Sequence, residues 1–422
     1  VALQKRREAI SWALYDWANS AYATTIMAGF FPLFFKQYWS AGASVTESTF
    51  RLGIANSVAS LVIVILAPLL GAIADRCGAR KRFLLTFATL GILMTALLPW
   101  VAQGDWWLAV VLYVLATIGF SGSISFSDSL LVFVADKPEY ERVSALGYAL
   151  GYLGGGLLFA VNVWMTLSPQ TFGLTDAAEA VKLSFFTVAI WWALFTLPLA
   201  RYVTETDGSG IGARAAVVAG WSQLRETFRE IRALRNIFLF LIAYWFYIDG
   251  VDTIVRMAVD YGLSLGFDSN SLIVALLITQ GVGFPAALAF GWLGSRIGAR
   301  SGIYIAIAVY IVVVIWAAQM EHVKEFYLLA VVIGLVQGGI QSLSRSLYAH
   351  IIPADKSAEF FGFYNMLGKF AAVLGPVMVG WASAVSGSPR LSMLTLLILF
   401  VVGALVLRKV DVDDGAQYAP RR

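Results

Sequence analysis

Residues 71–82 read GAIADRCGARKR, and residues 291–302 read GWLGSRIGARSG. The two strings lie 220 positions apart in a chain of 422 residues, each between two long apolar runs. Gly71, Arg76, Gly78 and Arg80 of the first match Gly291, Arg296, Gly298 and Arg300 of the second. A basic loop at the same place in each half is the mark of a duplicated membrane protein.

Composition agrees. Hydrophobic residues make up 59% of the chain and charged residues 13%, about half the usual charge. A soluble domain has too little polar surface at that composition. Apolar runs long enough to cross a bilayer fall at 9–39, 51–74, 83–102, 107–135, 143–167, 181–203, 237–264, 271–294, 301–320, 326–352, 358–386 and 391–408. None alternates as a barrel strand does, so the spans are helices. The expected fold is an all-α polytopic membrane protein, with twelve transmembrane helices in two six-helix pseudo-symmetric bundles. The run at 9–39 is too long for a signal peptide, lacks an A-x-A site and carries Asp16 and Asn19, so it is read as a retained span.

The net charge of +4 does not indicate a nucleic-acid partner, because its placement follows the membrane. With twelve spans, 22 of the 30 Lys and Arg residues fall on the face of the N-terminus, 5 on the other face and 3 within spans. That bias places both termini in the cytoplasm, and the plasma membrane (the inner membrane in a bacterium) is the expected location. The one cysteine, Cys77, falls in a cytoplasmic loop and forms no internal disulfide.

The chain divides into an N-terminal bundle, 1–203, a cytoplasmic linker, 204–236, and a C-terminal bundle, 237–422. Within the linker, Trp221, Leu224, Phe228, Ile231 and Leu234 recur on a helical period among Arg and Glu. This pattern suits either an amphipathic helix on the membrane face or a solvated linker helix. The duplication extends further. Pro138 and Pro353 are 215 apart, as are Gly147 and Gly362, and SDSL from Ser127 answers SRSL from Ser344.

Six plus six helices, a long central cytoplasmic loop and G-x-x-x-D-R-x-G-x-R-K after span two resemble the major facilitator superfamily. Gly71, Asp75, Arg76, Gly78, Arg80 and Lys81 fall on that superfamily's loop motif. The segment WALYDWANSAYATTI from Trp12 resembles its Atg22-like branch, also called the UMF1 family. The resemblance implies secondary transport of a small polar solute by alternating access. It also implies that the motif loop clamps helix ends in one state, and that spans one, four, seven and ten line the path. The second copy has Ser295 for Asp75 and Ser301 for Lys81, so its clamp, with Arg296 and Arg300, is expected to be weaker.

Polar groups inside spans mark cavities or partners. In span seven, Asp249, Asp252, Arg256 and Asp260 follow each other at three, four and four residues, a stripe roughly 16 Å long on one helix face. The stripe suits either a cavity wall that binds a proton or a cationic group, or an internal salt-bridge ladder. Lys369 in span eleven, one turn after Asn365, lies at the depth of Asp249, and the two are expected to pair. Asp128 and Arg345, of opposite charge at matching places in the repeat, are read as a latch between the halves. Gln337, Gln341 and Arg345 share one face of span ten. Asp16, Asn19 and Ser20 share one face of span one, and Asp16 suits either proton coupling or a brace to Arg345 or the basic loop.

The expected substrate-binding set is thus Asp249, Asp252, Arg256, Asn365, Lys369, Gln337, Gln341 and Asn19. Asp16 and Asp249 are the expected proton-coupling groups. The expected gating set is Asp128, Arg345, Gly71, Asp75, Arg76, Gly78, Arg80, Lys81, Arg296 and Arg300. Gly147, Gly151 and Gly155 allow close helix approach in span five, and Gly375 with Pro376 marks a bend in span eleven. His322 and His350 lack metal-ligand spacing, and no Walker-type string occurs, so no metal, no cofactor, no ATP-driven pump and no enzyme is expected. The expected activity is proton-coupled efflux of an amino-acid-like solute by a monomer in the bilayer. A transporter or flippase for a lipid-like or drug-like amphiphile is the alternative.

Overall fold

The computed structural model describes residues 2–43, 45–205 and 234–411. The expected linker helix around Trp221–Leu234 therefore lies almost wholly outside the described residues. Among those described, eleven helices are long and apolar enough to cross a membrane. The twelfth crossing is the first helical run. It begins as α1 (Ala2–Ala21) and continues through π-helical Tyr22–Phe30, a short α segment Phe31–Phe34 and π-helical Phe35–Trp39. The others are α2 (Val45–Cys77), α3 (Arg80–Leu97), α4 (Trp106–Val134), α5 (Tyr140–Leu167), α6 (Ala177–Tyr202), α7 (Arg235–Ser264), α8 (Ser269–Ile297), α9 (Ala299–Ala317), α10 (Val323–Ile351), α11 (Ser357–Ser386) and α12 (Leu396–Leu407).

Local sequence sets several boundaries. Asp176 caps α6 by accepting from the Glu179 amide at 2.8 Å. The His322 and Glu321 amides donate to the Glu325 carboxylate at 2.9 Å, which anchors the start of α10. Gly78 and Gly298 turn the α2–α3 and α8–α9 loops with φ of 59° and 86°, a region that only glycine enters cheaply. Periodic hydropathy does not encode the π-helical turns of the first span. They start one residue before Ala23 and Thr24, where a central cavity is lined.

In the N-terminal half α1 packs on α5 and α6, and α3 packs on α4. In the C-terminal half α7 packs on α11 and α12, while α8 and α9 pack on α10. Two seams join the halves: α2 and α4 against α11, and α8 and α10 against α5. The first glycine of each motif copy serves one seam. A β-carbon on Gly71 would strike the backbone of Ala358 and Glu359 in α11, and one on Gly291 would strike Ala145 in α5. The glycine stripe of α5 admits α1 in the same way. Added carbons at Gly151 and Gly155 would lie 2.6 Å from Ser20 Oγ and 2.8 Å from Thr24 Oγ1.

Candidate functional site

The site is built on a buried knot of charge between the halves. Arg345, on α10 and 2% exposed, sends Nη1 to Asp128 Oδ1 of α4 at 3.0 Å and Nη2 to Asp16 Oδ2 of α1 at 3.1 Å. Its Nε donates to the Ser144 hydroxyl at 2.9 Å and Nη2 to the Ser144 carbonyl at 2.8 Å, both on α5. The guanidinium carbon lies 4.7 Å from the Trp12 ring centre and 4.4 Å from that of Tyr148. Asn365 of α11 donates to Asp128 Oδ2 at 3.0 Å. Four helices, α1, α4, α5 and α10, thus meet at one guanidinium, and α11 joins them through Asp128. Asp16 and Asp128 share that single cation, and Asp16 is the more exposed of the two, 14% against 5%.

Below the knot, towards the face that carries Lys5 and Asp136, further contacts seal the halves. Asp75 accepts from the Ala358 and Glu359 amides at 3.0 and 2.8 Å, capping α11 across the seam where the helix dipole favours an anion. Arg80 holds Asp75 at 2.6 Å and donates to the Asp355 carbonyl at 3.0 Å. Lys81 donates to the Val203 carbonyl at 2.7 Å, and Glu205 accepts from the Arg80 and Lys81 amides at 2.5 and 3.0 Å. Burial pushes the Glu205 carboxyl above the usual glutamate range, against the pull of those amides and the nearby cations. On the other seam, His350 meets Glu141 at 2.9 Å and Arg142 reaches the Ser295 hydroxyl at 3.3 Å. The polar pairs described at the opposite end, Lys182 with Tyr38 and Arg390 with Glu321, each stay within one half.

Above the knot lies a cavity of about 180 Å³, lined by Ser20, Thr24, Tyr148, Tyr152, Gln280 and Gln341 with Ala23 and Gly151. Tyr148 belongs to both, so the knot forms the floor of the cavity. Gln280 reaches Thr24 across the halves at 3.5 Å. Asp252 is half-buried and lies within electrostatic reach of Tyr148, Tyr152 and Tyr244.

The structure rearranges several sequence expectations. Asp249 does not pair with Lys369. Its Oδ1 accepts from the Gly375 amide at 3.0 Å and the Thr253 hydroxyl at 3.3 Å, while Oδ2 is buried without a hydrogen-bond partner among the described residues. It is turned onto α11 at Gly375, the residue before the in-helix Pro376. Asn365 joins the Arg345 knot. Gln341 lines the central cavity, but Gln337 points into a separate apolar cavity of about 80 Å³ inside the C-terminal half, with Ile254, Val314 and Phe326. Asn19 is 4% exposed, its Nδ2 has no hydrogen-bond partner among the described residues, and its neighbours Ser20 and Thr24 line the cavity instead. Lys369 is half-buried on α11, and the side chains of Arg256 and Asp260 lie outside the described residues.

In the motif loops, Arg76 is half-buried and Arg296 lies 5.2 Å from the Trp292 ring centre. Arg300 donates to the Val410 carbonyl at 2.6 Å. Ser144, Gln280 and the His350–Glu141 pair were not singled out by sequence. Their partners lie 198 to 256 positions away, beyond any local pattern.

Known proteins supply context for this geometry. A family model described as "Vacuole effluxer Atg22 like" matches residues 41–419. The chain is 38% identical over 414 residues to the uncharacterized MFS-type transporter YxiO of Bacillus subtilis (strain 168), covering 98% of this chain and 96% of that one. It is 24% identical over 532 residues to autophagy-related protein 22 of Coccidioides immitis (strain RS), covering 98% and 88%. Among solved structures, the human organic anion transporter MFSD10 (TETRAN) is similar at a TM-score of 0.72 and 15% identity, covering 96% of this chain and 99% of that one. FucP in the outward conformation is similar at 0.71 and 13%, covering 96% and 98%. At such identities these two structures report the fold alone.

Proposed function

The chain belongs to the Atg22-like family of transporters and has the major facilitator fold, and on that premise we propose that it exports a small polar or zwitterionic, amino-acid-like solute by proton-coupled alternating access. The observation that carries this reading is the knot of Asp16, Asp128 and Arg345. Two carboxylates held by one guanidinium leave one negative charge uncompensated in a buried site. A proton on one carboxylate removes that charge. Asp16 is the proposed carrier, because it keeps more exposure than Asp128. Protonating it releases one arm of Arg345 and weakens the seal beneath.

The halves 1–203 and 237–422 rock about the central cavity, joined by the linker 204–236. With both termini in the cytoplasm of a plasma-membrane protein, the sealed face is the inner one and the described state faces outward. The substrate meets Ser20, Thr24, Tyr148, Gln280 and Gln341, with Asp252, Asn365 and Lys369 near the same depth. A lining of hydroxyls and amides of about 180 Å³ supports a small polar cargo. Asp249, with one oxygen unspent, is a second proposed proton site.

The apolar cavity beside Gln337 favours the second reading, an amphiphile as cargo. Flux in proteoliposomes separates the two. Radiolabelled amino-acid mixtures and a fluorescent lipid are tested against an imposed pH gradient, in wild type and Asp16→Asn. Gradient-driven amino-acid flux that is lost in Asp16→Asn supports the reading. Flux that survives the substitution removes Asp16 from coupling, and movement of lipid alone favours the amphiphile.

A further inference from the structure

The two copies of the loop motif hold their final arginines differently. Arg80, in the first copy, is 4% exposed and clamped on Asp75 at the seam between the halves. In the second copy Ser295 stands where that aspartate would be, and it accepts from Arg142 instead. Arg300 has no carboxylate partner among the described residues. It swings to the end of α12, donates to the Val410 carbonyl at 2.6 Å and keeps its other N–H groups for a different acceptor.

Arg300 therefore sits on the perimeter of the bundle, where α9 meets α12. A groove of about 450 Å³ opens there, lined by Arg300, Tyr304 and Ile311 of α9 and by Val401, Leu405 and Arg408 along and just beyond α12. Arg408 is exposed, and the Tyr304 phenol lies within electrostatic reach of both guanidiniums while donating to the Ala404 carbonyl at 3.1 Å. Among the described residues, no acidic side chain lines the groove. Its far end is apolar, with Val401 45% and Leu405 59% exposed. From Arg300 to Ile311 the groove follows roughly 16 Å of helix, about the hydrocarbon depth of one leaflet.

We infer that this groove binds one anionic phospholipid, its phosphate between Arg300 and Arg408 and an acyl chain along Ile311, Val401 and Leu405. Two guanidiniums at the headgroup level and an uncharged apolar trough beneath them match that molecule at both ends. In this account, losing the motif aspartate in the second copy converts a helix clamp into a lipid clamp. The two halves then respond differently to the surrounding membrane, since only the C-terminal half carries a lipid at this loop.

The test uses purified full-length protein in detergent with added phosphatidylglycerol or phosphatidylcholine, read by native mass spectrometry of retained lipid and by thermal unfolding. The wild type retains phosphatidylglycerol on the order of tenfold over phosphatidylcholine and unfolds at a higher temperature with it. Arg300→Gln with Arg408→Gln loses the preference, while Lys409→Gln, an exposed neighbour outside the groove, keeps it. Equal retention of both lipids by the wild type overturns the inference. So does an equal loss with Lys409→Gln, which points to diffuse surface charge, or an equal stabilisation by inorganic phosphate alone. Destabilisation of the double variant without any change in lipid preference also overturns it, because the arginines then serve only the chain's own end.

Discussion

Arg345 and Asp128 meet at 3.0 Å across the two halves, with side chains 2% and 5% exposed. A buried pair of this kind is expensive to break on one side only, because the survivor is a bare charge in a low dielectric. Arg345→Gln is expected to cost about 3 kcal/mol in thermal or denaturant unfolding, since it strands Asp16 and Asp128 together. Asp128→Asn in the same chain should recover part of that loss. A double-mutant cycle that comes out additive would remove the coupling.

Asp75 caps α11 from the other half, and the chain's one cysteine, Cys77, lies two residues further on. Asp75→Ala removes the cap and the partner of Arg80 together. A lost cap is worth about 1 kcal/mol, so maleimide labelling of Cys77 should quicken roughly fivefold as the seal opens more often. An unchanged labelling rate would mean that the cap does not hold the seal.

Gly71 has no room for a side chain against Ala358 and Glu359. Gly71→Val should hold α2 off α11, with a cost of about 1–3 kcal/mol to the closed arrangement. Gly53, on the same helix with open space around it, should accept alanine without that effect. Cys77 labelling in the two variants checks the difference.

Glu205 titrates above the usual glutamate range because burial penalises its charge. A carboxyl raised in the folded state binds its proton more tightly folded than unfolded. Its penalty is therefore present above the raised value and fades as pH falls through it. Wild type should gain stability relative to Glu205→Gln as pH is lowered from neutral into the carboxylate range. A melting-temperature difference that stays flat with pH would contradict this.

Asp249→Asn keeps an acceptor for the Gly375 amide, and Asp249→Ala does not. If Asp249 only braces α11 at Gly375, the asparagine variant keeps both stability and gradient-driven flux while the alanine variant loses stability. Loss of coupled flux in a stable Asp249→Asn protein assigns it to coupling.

Much of this molecule is written in its sequence. Hydropathy marks the spans, and the 220-residue offset between the motif copies marks the duplication. Asp128 and Arg345 stand out because the repeat places opposite charges at matching positions. The rest depends on which way a side chain turns. Asp249, Asp252 and Lys369 share a depth that sequence can estimate, but rotation about the helix sends Asp249 to the Gly375 amide of α11. Asn365 looks like a neighbour of Lys369 along α11, yet its amide is spent on Asp128 of another helix. Gln280 is a polar group in an apolar span, but nothing in the sequence says which partner it meets, and only the crossing of α5 with α8 gives it a place beside Thr24.

The central claim is that the Arg345 knot keeps one face of a rocking transporter shut. Spin labels at Lys137 and Ala354, both exposed and on opposite halves, report the width of that face by electron–electron distance measurement once Cys77 is replaced by serine. The wild type should give one short distance, and Arg345→Gln should add a longer population at the expense of the short one. A distance distribution unchanged by Arg345→Gln, in a variant that is still folded, would contradict the account.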